Sequence, residues 1–138
     1  MKLFYTVIFL LSLASAAFAR EEAVLARVTS YSAGEGSKYA STGQRLHSGH
    51  CAVDLKRIAY GSKVVYPDCA CTAVDTGPAV VSRKAARACG RTASQRNAIV
   101  VDRFFETKRD AMAWTNVHPQ FMTLQVVRPG SPPEPTEP

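Results

Sequence analysis

Outside its first nineteen residues the chain has no apolar run of the ~20 residues that a spanning helix needs. It has no internal repeat, no lipobox cysteine, no sorting motif and no run of basic residues interleaved with aromatics. These gaps exclude a solenoid array, a helical membrane protein and a basic nucleic-acid-binding strip. Tryptophan occurs once and histidine three times. Cysteine occurs four times, at positions 51, 69, 71 and 89. A zinc site would draw on these and on His47 and His50 in HSGHC, but the CxC spacing is not that of the common zinc modules. No metal and no cofactor are expected.

The N-terminus has the make-up of a secretory signal. Lys2 gives a positive start, Leu3–Leu13 is almost wholly apolar, and Ala17 and Ala19 put small residues at the −3 and −1 positions. The reading is a signal peptide at 1–19, one domain at 20–128, and a disordered tail at 129–138 that ends GSPPEPTEP. Export places the mature protein in the periplasm or outside the cell. The formal charge of +6 serves solubility or attraction to an anionic polymer. Export argues against nucleic acid as that polymer, and a monomer is the default.

An even number of cysteines in an exported chain favours two disulfides. Cys69 and Cys71 would share one face of a strand, where a bridge between them is strained. Cys51 and Cys89 are therefore each expected to take one of that pair, in an open order, each bridge contributing about 3 kcal/mol.

Strands are expected at Val24–Tyr31, Cys51–Asp54, Lys63–Tyr66, Cys69–Asp75, Ile99–Phe105 and Phe121–Val127. The polar, glycine-rich segment Ser32–His50 reads as a long loop. Helical features mark Ser82–Cys89, stopped by Gly90, and a helix capped by Thr107 and Asp110 runs through Trp114. Thr92 and Gln95 suit a capping box. The fold class is mainly β, six strands with two or three short helices, and a small barrel would remove the exposed edges. Trp114 reads as core, and Arg83, Lys84 and Arg87 as a solvated helix face.

Three aspartates interrupt or end apolar strands: Asp54 after CAV, Asp75 after CTAV, and Asp102 within IVVDRFF. Asp54 and Asp75 precede turn-like sequence and suit caps. Asp102 does not, because Arg103-Phe104-Phe105 continues the strand. On that strand Asp102 shares a face with Val100 and Phe104, and Arg103 points the other way.

The segments GHCAVDLKRIAYGSKV, CTAVDTGPAV and IVVDRFF, in that order, resemble the three-aspartate (3D) domain family. The likeness covers about Ala26–Val127. It implies a double-psi β-barrel similar to the catalytic domain of membrane-bound lytic transglycosylase A. It further implies a peptidoglycan glycan strand as substrate, Asp102 as general acid and base, and Asp75 and Asp54 as companions that shape the site. By the same resemblance Thr29, Tyr31, Thr42, Thr76 and Gly77 fall in the substrate groove. Two departures stand out: the stretch between Asp75 and Asp102 is longer than in the transglycosylase, and Val81 stands where the family commonly has lysine. The expected function is thus a secreted lytic transglycosylase or glycosidase. The alternatives are a non-catalytic barrel that binds cell-wall glycan, and a disulfide-stapled domain that recognises a protein. An acid near neutral pH requires Asp102 to titrate well above the ~3.9 of a free aspartate.

Overall fold

The structure, a computed structural model, describes residues 21–130. The segment 1–19, expected to be a signal peptide, and most of the proline-rich tail lie outside the described residues. Six strands close into a barrel: β1 (Glu21–Ser32), β2 (His50–Ala52), β3 (Lys63–Val65), β4 (Ala70–Asp75), β5 (Ile99–Phe105) and β6 (Phe121–Val127). Around the barrel they run β1-β5-β2-β4-β3-β6, with β6 returning to β1. The β1–β5 and β2–β4 pairs are parallel and the others antiparallel. The fold is thus mainly β, a closed mixed barrel of six strands, as read from the sequence.

Alternation along β1 explains its position. Val24, Ala26 and Val28 pack into the barrel with Cys51, Val53, Val64, Cys71, Val101, Leu124 and Val126. The intervening Leu25 and Tyr31 pack outward against smaller clusters. The strand is long because it serves two partners in succession: Glu21–Arg27 pair with β6, and Ala26–Ser32 pair with β5.

Four α-helices occur among the described residues: α1 (Pro78–Ser82), α2 (Lys84–Cys89), α3 (Ala93–Arg96) and α4 (Lys108–Val117). A single 3-10 turn occupies Ala33–Glu35. The helix expected at Ser82–Cys89 is α2, starting two residues later, and an unexpected short helix α1 precedes it; the two are separated by Arg83, whose φ of 53° is left-handed. The caps are as read: Thr92 Oγ1 accepts from Gln95 N at 3.2 Å, and Thr107 Oγ1 accepts from Asp110 N at 3.1 Å. Helix α4 runs three residues past Trp114, to Val117. No helix among the described residues is long and apolar enough to cross a membrane.

The disulfide expectation is overturned. Cys51, Cys69, Cys71 and Cys89 are all free. Cys51 and Cys71 point into the barrel core, whereas Cys89 is exposed on α2 outside it, so the strands of the wall separate Cys89 from Cys71. Cys69 lies beside Cys71, with 3.8 Å between the sulfurs, and receives a hydrogen bond from Arg103 at 3.0 Å.

Trp114 is partly buried against the barrel core, as the sequence indicated. It helps to form a box around Arg103, whose guanidinium lies 4.8 to 5.0 Å from the ring centres of Tyr66, Phe105 and Trp114. Asp68 closes the box with two hydrogen bonds to Arg103, at 2.8 and 2.9 Å. Charge-assisted bonds of this kind hold Asp68 below the usual carboxylate range and offset the cost of burying the cation.

Candidate active site

Strand β5 is buried on both faces, and this accounts for the setting of Asp102. Ile99 and Val101 face the barrel interior. On the outer face Val100 packs with Ala52, Val80, Ala86 and Ala98 beneath α1 and α2. Two positions beyond Asp102, Phe104 packs with Ala40, Leu46 and Val74 under the long loop. Asp102 therefore occupies the seam between two apolar clusters and is the one residue of β5 that is not fully buried.

Its neighbours are set by strand register. Thr29 on β1 and Ala52 on β2 stand opposite Asp102. Thr29 Oγ1 donates to Asp102 Oδ1 at 2.9 Å, and Oδ2 has no such partner among the described residues. Burial pushes the Asp102 carboxyl up to about 6. The Thr29 hydrogen bond opposes that rise, and the negative charges of Glu35 and Asp75 reinforce it.

Asp75 lies at the end of β4 and shares the cleft. Tyr31 Oη donates to its Oδ2 at 3.0 Å, and the backbone N–H groups of Ser41 and Thr76 donate to its Oδ1 at 2.8 and 3.0 Å. Burial, reinforced by the adjoining Asp75 carboxyl, holds the Tyr31 hydroxyl well above its ordinary value, so it stays a donor. The cleft is a hollow of about 170 Å3 whose lining includes Tyr31, Asp75, Thr76, Gly77, Pro78 and Asp102.

The predicted site residues thus divide. Asp102, Asp75, Tyr31, Thr76 and Gly77 line one cleft, and Thr29 touches it through Asp102. Asp54 is not part of that lining. Its Oδ1 accepts from Lys56 N at 3.1 Å and its carbonyl accepts from Arg57 N and Ile58 N, so it organises the turn after β2. Thr42 is also elsewhere engaged, donating to the Val74 carbonyl at 3.0 Å and so tying the loop to β4.

Two contributors were missed. Ser41 binds Asp75 through its N–H, and its hydroxyl lies 2.8 Å from Tyr60 Oη and 3.2 Å from Thr76 N. Glu35 sits on the 3-10 turn within electrostatic reach of Asp102. Both lie in the long polar loop, where sequence carries no periodicity. The only available signal for Glu35 was an acidic residue between two glycines.

His47, His50 and Glu106 meet at the surface, with His47 N donating to His50 Nδ1 at 3.0 Å and Ser48 N donating to Glu106 Oε1 at 3.1 Å. Among the described residues no cluster of three or more His, Cys, Asp or Glu side chains is arranged to hold a metal ion.

The arrangement supplies a protonatable carboxyl with one free oxygen, a hydroxyl that fixes the other oxygen, and a second carboxyl that accepts three hydrogen bonds. Such a pair can donate a proton to a leaving oxygen and then accept one. Compared with known proteins, the chain matches no family model and no curated protein.

Proposed function

We propose that the protein is an exported enzyme that cleaves the glycan strand of peptidoglycan, with the three-aspartate double-psi barrel as its architecture and Asp102 as its general acid and base. The observation that carries this reading is a carboxyl group pushed up to about 6, held at the seam of a strand otherwise buried on both faces. An acid with that value is still partly protonated near neutral pH, which a free aspartate is not. The closed mixed barrel and the pairing of Asp75 with Tyr31 support the same reading.

In the proposed reaction Asp102 protonates the glycosidic oxygen as the bond to the sugar breaks. The resulting carboxylate then takes the proton of the sugar's own C6 hydroxyl, which attacks the anomeric carbon and closes a 1,6-anhydro ring. One carboxyl group suffices for that sequence, whereas hydrolysis needs a second to activate water. Asp75, fixed by three hydrogen bonds, stays put as an orienting acceptor for sugar hydroxyls.

The test incubates the protein and its Asp102→Asn variant with peptidoglycan and reads the products by mass spectrometry. Anhydro-ended products from the native protein alone support the reading. Reducing ends without the anhydro form assign hydrolysis, and no release from any wall preparation removes the enzyme. A glycan-binding barrel without turnover is the second reading. It is favoured by Val81, half exposed where the resembled family commonly carries lysine, and a pull-down with intact glycan would detect it.

A further inference from the structure

Next to the acid cleft is a larger hollow of about 550 Å3, built by the segment between Asp75 and β5. Pro78 and Ala79 belong to both hollows, and Thr29, which lines the larger one, holds Asp102 Oδ1. The two hollows therefore adjoin along Pro78 and Ala79, with Asp102 lining the smaller one. Ala85 and Ala88 of α2 and the buried Val100 of β5 complete the apolar part. The left-handed turn at Arg83 is what lets two short helices contribute to one hollow.

The chemistry of this lining is specific. Beside the side chains of Thr29 and Ser82 it presents mostly methyl and methylene groups and no aromatic face, so a bare sugar ring has nothing to stack on. Its volume lies within the ~300–1,000 Å3 of small-ligand sites and exceeds what one acetyl methyl would fill. Lys84 also lines it, is exposed, and forms no ion pair among the described residues. We infer that this hollow is a specificity subsite for a short acyl-peptide arm carried by the sugar beside the scissile bond. Methyl-bearing units of the arm lie against Ala85, Ala88 and Val100, and a carboxylate of the arm meets Lys84. The inference rests on the glycan-cleaving reading for its substrate, but its binding half is separately measurable.

Two substrates test it: glycan oligosaccharides bearing the peptide arm, and the same oligosaccharides stripped of it by an amidase. The subsite predicts a kcat/KM about tenfold higher for the arm-bearing form, the scale of one methyl-sized contact in an apolar pocket. Ala88→Phe, which fills the hollow from an exposed position, and Lys84→Glu, which reverses the charge, both bring that ratio towards one. Equal and measurable native rates on the two substrates overturn the subsite and leave the role of Asp102 standing. The second measurement needs no turnover: N-acetyl-alanyl-glutamate is titrated into isotope-labelled protein. Shifts at the amides of Ala85, Ala88 and Val100 support the subsite even in a protein that cleaves neither substrate. No shift at those amides at millimolar probe overturns it, whatever the cleavage assay gives.

Discussion

A carboxyl group in the seam of a doubly buried strand is costly to ionise, and Asp102 is poised between that cost and the hydrogen bond from Thr29. Its folded value of about 6 lies above the ~3.9 of an unfolded aspartate. The folded state therefore holds this proton more tightly than the unfolded state does. The resulting stability is fully present below pH ~4 and is lost as pH rises through about 6. Asp102→Asn, which keeps the acceptor for Thr29, should escape that loss. Urea unfolding should show it to be more stable than the native protein at pH 8, by on the order of 2–3 kcal/mol, and nearly equal at pH 3. A variant no more stable at pH 8 would mean that burial does not raise Asp102. Glu35→Gln removes one of the negative charges that raise Asp102, so its titration, followed by carboxyl NMR, should move to lower pH. Of these residues Asp102 was legible from the sequence pattern itself, because a charged residue that interrupts an apolar alternation is a local signal, and Thr29 was reached only through the family resemblance. Glu35 and Ser41 reach the site through a loop whose path is fixed by contacts far away in the chain. Asp54 looked like its two companions, yet its carboxyl is spent on the turn that follows it.

Among the elements, strands β5 and β6 could be read residue for residue, since both are short apolar runs bounded by turn signals. The helices were half legible. The threonine caps are local chemistry, and removing the one on α4 by Thr107→Ala should cost about 1 kcal/mol in thermal or urea unfolding. The break at Arg83 is not local. A non-glycine residue adopts φ of 53° only where packing demands it, here so that Val80 and Ala86 from either side of the break join one cluster over Val100. Gly90 was read as a helix stop, and the structure adds a second reason for it. A Cβ there would fall 2.6 Å from the backbone nitrogen of Arg96 and 2.9 Å from the Ala86 carbonyl. Neither backbone atom can step aside alone, so Gly90→Ala should cost about 1–3 kcal/mol with the fold retained. A neutral result would show that α3 is free to shift away from α2.

For the molecule as a whole, composition and alternation pointed to a mainly β barrel, while cysteine count pointed to cross-links that the geometry does not make. Pairing depends on which side of the barrel wall each thiol faces, and Cys89 lies outside while Cys71 lies within. Reductant should accordingly leave the melting temperature unchanged; loss of two bridges of about 3 kcal/mol each would lower it by more than about 10 °C. The long first strand carries a further consequence. Its partners β5 and β6 are the last two strands of the chain, so the segment synthesised first waits for the segments synthesised last. Such pairing closes large loops before any contact rewards them, which slows folding. A chain delivered N-terminus first thus keeps its barrel open, with Glu21–Leu25 of β1 unpaired, until residues near Val127 have arrived. Truncation after His118 should abolish the cooperative transition altogether, because β1 and β3 would both lose β6. The order of strands around the barrel makes closure impossible before β6 is present, so the delay between the first strand and its last partner is written into the topology.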